Sequence, residues 1–283
     1  MTPQTEALVR SATTWAAVPF VPEVTLLTAA EPFGLWDRTK LDAPPFWAFP
    51  WAGGQGLARY VLDHPETVAG RGVLDIASGS GLVAIAAAKA GARAVIAGDI
   101  DDNALAAIAL NATANDTPQV IPCTADLAVP SLGPGRQQAA SGPRDQDTPG
   151  PGGTRSDPRA SAAAEVFVAP DVVLAADVFY QRDLAAGALR FLQAAAAAGA
   201  GVLVADPGRA FVPANSLTAL AAYQVPVLPV LEDTSVKTVT IYRLRLPAVI
   251  SRAGPAVPRD RRLRGAAPHP GPPSLGGHPV SRP

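Results

Sequence analysis

Residues 73–82 read V-L-D-I-A-S-G-S-G-L. A short apolar strand ends at Asp75, a loop with Gly79 and Gly81 follows, and an Ala-rich run over 82–90 predicts a helix. A second apolar strand, A-V-I-A-G (94–98), ends in Asp99. Strand, glycine turn, helix, strand and terminal acid make a nucleotide-binding βαβ unit, with the glycines allowing the tight turn.

Charge narrows the nucleotide. A pyrophosphate is held by bare backbone N–H groups at a helix N-terminus, with no carboxylate beside them. Here Asp75 lies four residues before the first glycine, at the expected mouth of the pocket, and Asp99, Asp101 and Asp102 gather at the next strand end. Acid at both strand ends suits a cation and repels a pyrophosphate. S-Adenosylmethionine carries an ammonium and a sulfonium and no phosphate, so it is the expected ligand. A nicotinamide dinucleotide is an alternative, because Gly79, Gly81 and Ala84 also fit a loose G-x-G-x-x-A.

The same alternation continues on both sides. Residues 102–115 predict a helix with Asp101 or Asp102 as its N-cap, and Asn111 and Asn115 read as helix-end residues only. A third strand over 120–123 places Cys123 in the core and Asp126 just beyond. Residues 131–165 hold almost no large apolar side chain and read as a disordered insertion. The run D-V-V-L-A-A (171–176) is a buried parallel-type strand ending in Asp177. A helix over 184–198, capped by Asp183 and closed by Gly199, leads to a fifth strand over 201–205 and then D-P-G-R (206–209), where Arg209 looks poised to pair with Asp206. Residues 217–222 predict a short helix, and 224–231 and 235–244 two final strands resembling a hairpin at a sheet edge. Upstream, 21–27 is a strand or extended arm, 44–51 (P-P-F-W-A-F-P-W) is dense in aromatics, and 55–62 has helical spacing. Together these elements predict an α/β fold, a doubly wound Rossmann-like seven-strand sheet with a C-terminal antiparallel β-pair. In such sheets the ligand lies beyond the strand carboxyl ends. Asp75, Asp99, Asp126, Asp177 and Asp206 should therefore converge on one edge.

Composition excludes other classes. The formal net charge is −1, so nothing global points to nucleic acid. No apolar run is long enough to span a bilayer, and no secretion signal opens the chain, so a cytoplasmic protein is expected. One cysteine, Cys123, allows neither an intrachain disulfide nor a Cys-cluster metal site. Of three histidines, His64 sits in a D-H-P turn and His269 and His278 in a Pro-rich tail, so no triad or zinc site is expected. The tail from 247 to 283, with Arg259, Arg261, Arg262 and Arg264, reads as a solvated disordered segment. Nothing demands a dimer, so a monomer is expected.

Several segments resemble the class I S-adenosylmethionine-dependent methyltransferases, and among them the lysine methyltransferases of the electron transfer flavoprotein beta subunit. They are P-P-F-W-A-F-P-W-A-G-G-Q-G-L-A-R-Y-V-L (44–62), G-V-L-D-I-A-S-G-S-G-L-V-A-I-A-A (72–87), A-G-D-I-D (97–101), D-V-F-Y (177–180) and D-P-G-R (206–209). Ala52 departs from the Pro that often follows the Trp in these enzymes. The resemblance implies a methyltransferase domain over 44–246, preceded by an extension over 1–43. It also implies roles: Asp75, Ser78, Gly79 and Gly81 at the methionine end of the cofactor, Asp99 at the ribose, Asp126 at the adenine amino group, and Trp51 packed on the cofactor. Asp177 and Tyr180 would face the incoming amine.

The chemistry expected of such a site is modest. In-line transfer from a sulfonium needs alignment more than a strong base, and positioning alone supplies roughly 7–11 kcal/mol. Asp177 can orient a lysine amine and pass its proton to water, while Phe179, Tyr180 and Trp47 can offer aromatic faces to the cation. Arg209 is a further substrate-side candidate. A protein substrate, the flavoprotein beta subunit among them, is expected; methylation of a small amine or pyridine nitrogen is the second reading and a nicotinamide-dependent oxidoreductase the third.

Overall fold

A computed structural model describes residues 2–30, 45–126 and 169–245. The expected insertion at 131–165 and the tail after residue 247 lie outside the described residues, as do His269 and His278.

Four parallel strands follow from the apolar runs: β3 (Gly72–Ile76), β4 (Ala94–Asp99), β5 (Val120–Thr124) and β6 (Val172–Ala176). With β7 (Gly201–Asp206), β8 (Leu217–Pro226) and β9 (Val236–Leu244) they form a sheet of order β5-β4-β3-β6-β7-β9-β8. Only β9 runs antiparallel to β7, with β8 antiparallel to β9 in turn. The strand order reverses between β3 and β6, which is where ligands bind in open α/β sheets. The residues immediately after these two strands, Ala77 (φ 50°) and Asp177 (φ 55°), both have left-handed backbones. Such a conformation costs about 1–2 kcal/mol for a residue with a Cβ, and the Asp177 carboxyl offsets it with no local bond, reaching Gly54 N and Arg209 instead.

Side chains alternate across the sheet. Val73, Val95, Val172 and Leu203 face one layer, with α2 (Ala52–Asp63) and α3 (Leu82–Lys89). Leu74, Ile96, Val173 and Val204 face the other, against Phe191 and Leu192 of α5 (Arg182–Ala197). Between β4 and β5 the chain forms α4 (Asp102–Ala114), capped by Asp101, whose Oδ1 accepts from Asn103 N at 2.8 Å.

The amino-terminal segment is built into this core. Helix α1 (Pro3–Ala12) packs on α4, and β1 (Thr14–Val18) pairs antiparallel with β2 (Val21–Thr28). Val18, Val21, Val24 and Leu26 are buried in the same cluster as the sheet. Of the two forms open for residues 21–27, strand is the observed one.

Three local readings are corrected. Residues 217–222 are strand, not helix: nine-residue pairing of β8 with β9 overrides the helical propensity of Leu and Ala. The strand then ends at Pro226, and Pro229–Glu232 is a single helical turn, α6, where the sequence suggested strand up to 231. Pro229 lacks the N–H that a ladder needs but fits a first helical turn. Helix α5 begins after Gln181, so Asp183 sits inside its first turn rather than capping it.

Candidate functional site

The glycine loop is held closed by its own donors. Ser78 N donates to Gly98 O (3.0 Å), Gly79 N to Asp99 Oδ2 (2.8 Å) and Gly81 N to Ser78 O (2.9 Å). Gly81, at φ 82°, takes the left-handed turn that opens α3. Asp75 lies beneath this loop, 2% exposed; its Oδ2 accepts from the Ser78 hydroxyl and from Ala84 N in the first turn of α3. The expectation that Asp75 puts charge at the pocket mouth is therefore corrected: the carboxyl is an internal brace, and β3 continues one residue past it. With Gly79, Gly81 and Ala84 amides already bonded, this loop offers a pyrophosphate few donors, which disfavours the dinucleotide reading.

Asp99 is only partly buried and stays at the edge. Its Oδ1 accepts from Asp101 N at 3.1 Å, and the next residue, Ile100, is 68% exposed. The segment A-G-D-I-D thus displays an apolar side chain beside an acid at a strand end, a pattern visible in the sequence. Asp126, two residues past β5, is exposed on the same edge.

The aromatic segment divides by face. Trp47 (1% exposed) and Phe179 (0%) are buried in separate core clusters, so neither offers a face to an amine as first expected. Phe46 is the exposed member of the pair. Its ring lies 5.6 Å from Tyr180 and 5.8 Å from Trp51. Trp51 precedes α2 as its N-cap and donates from Nε1 to Phe46 O at 2.8 Å. Tyr180, 37% exposed, has its phenol pushed up by burial and then by the charge of Asp99. Beside Trp51 opens a cleft of about 250 Å³, lined by Phe49, Ala17, Leu228, Leu231 and Glu232 among others.

Asp177 is anchored from two directions. Its Oδ2 accepts from Gly54 N at the start of α2 (3.1 Å), and Oδ1 from Arg209 Nη2 (3.0 Å). The approach to the helix is so close that a Cβ on Gly53 would lie 2.5 Å from Asp177 Oδ2. Arg209 does not turn its guanidinium to Asp206, as the sequence suggested. Asp206 Oδ1 accepts the backbone N–H groups of Gly208 (2.7 Å) and Arg209 (2.6 Å), and the guanidinium goes to Asp177 and Glu232 instead. The turn that D-P-G-R encodes thus aims Arg209 away from its own Asp.

Asn111 and Asn115, which the sequence places merely near a helix end, hold the site to the amino-terminal hairpin. Asn111 Oδ1 accepts from Leu27 N (2.8 Å) while its Nδ2 donates to Ser80 O in the glycine loop (2.8 Å). Asn115 brackets Thr25, accepting from its N–H and donating to its C=O. No local pattern separates such asparagines from solvent-facing ones; only the docking of β2 does.

Burial pushes Asp75 up to about 7, against the Ser78 and Ala84 hydrogen bonds, and pushes Asp177 up to about 6, against the attraction of Arg209. A carboxyl whose native pKa exceeds its unfolded value binds protons more tightly when folded, so its contribution falls as pH rises through the window between the two values. Between pH 7.5 and 5.5 the ligand-free chain is expected to gain about 2–3 kcal/mol as pH is lowered. Urea denaturation at three pH values checks this; a midpoint that stays level or drops over that range would contradict it.

Comparison with known proteins agrees with this frame. The family model of the ribosomal protein L11 methyltransferase (PrmA) matches residues 60–135. The electron transfer flavoprotein beta subunit lysine methyltransferase of Homo sapiens is 49% identical over 82 residues, 28% of this chain and 31% of that protein. Its Danio rerio counterpart is 41% identical over 113 residues, 39% of this chain and 43% of that protein. The chain thus spans well under half the length of these relatives. A ribosomal protein L11 methylase structure from Lactobacillus delbrueckii aligns at TM-score 0.39 and 16% identity, covering 68% of this chain and 78% of that one; at that score the likeness carries no argument. By its sheet topology, glycine loop and sequence matches, the chain has the class I S-adenosylmethionine-dependent methyltransferase fold. The sequence relatives named above are flavoprotein beta-subunit lysine methyltransferases, matched over part of their length.

Among the described residues, no helix is long and apolar enough to cross a membrane, and no group of three or more His, Cys, Asp or Glu is placed to hold a metal ion.

Proposed function

We propose that the chain is a protein-lysine N-methyltransferase using S-adenosylmethionine. The observation that carries this reading is Asp177 at the switch point of the sheet, in a strained left-handed conformation, fixed by Gly54 N and Arg209. Strained backbone at a ligand edge points to function.

The residues present fit the cofactor. The loop amides are internally bonded, so a ligand without phosphates suits it, and Asp99 keeps a partly exposed carboxyl beside the exposed Ile100 for hydroxyls and an apolar base. Asp75 and Ser78 then act through the loop rather than by touching the ligand, with Gly79 and Gly81 supplying its backbone, and Trp51 and Asp126 flank the same edge. When bound, S-adenosylmethionine supplies a methyl group activated by its sulfonium. Asp177 orients the acceptor amine and takes its proton on the way to water; Tyr180 and Phe46 offer π faces to the ammonium, worth about 0.5–2 kcal/mol each. Alignment carries most of the rate.

The D-V-F-Y and D-P-G-R segments and the relatives' names support a protein-lysine acceptor, and the flavoprotein beta subunit is the first acceptor to try. Labelled methyl is expected to pass from S-adenosylmethionine into purified beta subunit or into a protein band of a cell extract. Label confined to small molecules would instead favour a small-amine methyltransferase, and no label with cofactor bound would remove the enzyme reading.

A further inference from the structure

The carboxyl of Glu232 is buried on the four-residue turn α6, far along the chain from Asp177, yet the two share one guanidinium. Arg209 Nη1 reaches Glu232 Oε2 at 3.2 Å and Nη2 reaches Glu232 Oε1 at 2.9 Å, a two-pronged grip, while Nη2 also reaches Asp177 Oδ1 at 3.0 Å. Lys237 Nζ stands 3.5 Å from Glu232 Oε2 on the far side. The result is a chain of alternating charge, Lys237–Glu232–Arg209–Asp177, running from β9 through α6 and the loop after β7 to the end of β6. Side-chain exposure is 3% at Glu232, 22% at Arg209 and 13% at Asp177. Charges removed from water interact strongly, so the division of Arg209 between two carboxyls matters. Two parallel N–H bonds fix an arginine's plane as well as its position.

We propose that Glu232 is a positioning residue for the reaction: it grips the Arg209 fork through two bonds so that a single Nη2 prong reaches Asp177, which leaves that carboxyl only partly neutralised and able to take up and release the proton of the amine. This deepens the reading of Asp177 as the amine-facing acid and rests on it. It also reassigns Arg209, which then serves the Asp177 carboxylate and not the substrate.

Every charged or titratable neighbour bears on the sign. Asp177 faces Arg209 and Asp206 from β7 and its following loop, and Glu232 from α6; its remaining partner is the Gly54 N–H of α2. Lys237 acts through Glu232. Burial raises Asp177, Arg209 lowers it, and Asp206 and Glu232 raise it. Removing the negative charge of Glu232 leaves Arg209 wholly to Asp177, whose midpoint must fall. Removing Lys237 gives Glu232 wholly to Arg209, and the midpoint of Asp177 must rise. A purely structural ion pair of the same charges would shift the midpoint as well, but it would leave the acid limb of methyl transfer in place, so the positioning role is read from the two moving together.

The test is a ¹³C-carboxyl NMR titration of the full chain without ligand, the Asp177 signal being identified by its loss in Asp177→Asn. Glu232→Gln, close in shape to the native side chain, is expected to lower the Asp177 midpoint by about one pH unit, tenfold in proton affinity. Lys237→Gln, at a part-exposed strand position, is expected to raise it by a smaller amount and remains informative should Glu232→Gln not fold. The acid limb of methyl transfer into the labelled acceptor should move by the same amounts. A midpoint that stays put in the variants that fold, or moves with the opposite sign, overturns the proposal. Shifts in the titration with no methyl transfer in any variant would uphold the electrostatic arrangement and defeat the lysine methyltransferase reading, so the two failures are distinguishable.

Discussion

Asp177→Asn is expected to reduce methyl transfer by about 10²–10⁴-fold, the range a positioned proton-accepting group contributes. The change is nearly isosteric: an amide oxygen can still accept from Gly54 N, and Arg209 keeps its two bonds to Glu232. What disappears is the charge that orients an amine and accepts its proton. Neither oxygen of Asp177 belongs to the glycine loop, so the cofactor dissociation constant should stay within about threefold, under 1 kcal/mol. Single-turnover transfer into the acceptor, with cofactor affinity measured calorimetrically on the same preparation, separates these effects. Full activity in the variant would remove Asp177 from the reaction, and a loss matched by weakened cofactor binding would make it a cofactor residue instead.

Asn111→Leu is the second large effect, and it falls on stability. The side chain is fully buried, and it satisfies Leu27 N and Ser80 O together. Leucine leaves both unpaired in a dry environment, at about 1–3 kcal/mol each. A melting temperature lower by on the order of 10 °C is expected for a domain of this size. Because Ser80 belongs to the glycine loop, cofactor affinity should also fall about tenfold, or roughly 1.4 kcal/mol. Thr113→Ala, at an exposed position of the same helix, is the control and should change stability by less than about 0.5 kcal/mol. Equal melting of both variants would show that the Asn111 bonds add nothing to the hold on the amino-terminal hairpin beyond its apolar contacts and the Asn115 bonds to Thr25.

Much of the frame was legible before any coordinates. The apolar runs before Asp75, before Asp99 and before Asp177 read as strands, and the last of them, apolar on both faces, as a buried parallel one. The glycine turn after β3 follows from Gly79 and Gly81, and the convergence of Asp99, Asp126, Asp177 and Asp206 follows from parallel strands ending on one edge. Where the pattern was weak, the reading failed for a physical reason. Residues 217–222, rich in Leu and Ala, prefer helix locally and are made strand by the pairing of β9. Phe46 and Trp47 are adjacent and equally aromatic, so nothing local tells which one points outward.

The kinds of group at the site are a matter of chain chemistry: carboxyls at strand ends, a glycine turn, aromatics before α2 and no histidine among them. These depend on residue type and on short-range spacing, which a sequence carries in full. Which carboxyl turns inward as a brace and which pairs with a cation depends on contacts across long stretches of chain. Asp75 turns inward onto Ala84, Asp206 onto its own Gly208, and only Asp177 is left facing Arg209, because Glu232 on a turn more than fifty residues later closes the other side of that cation. Ion-pair partners and hydrogen bonds such as those of Asn111 are decided by packing, since the charge or amide is the same whatever it meets, and only the tertiary structure determines what that is.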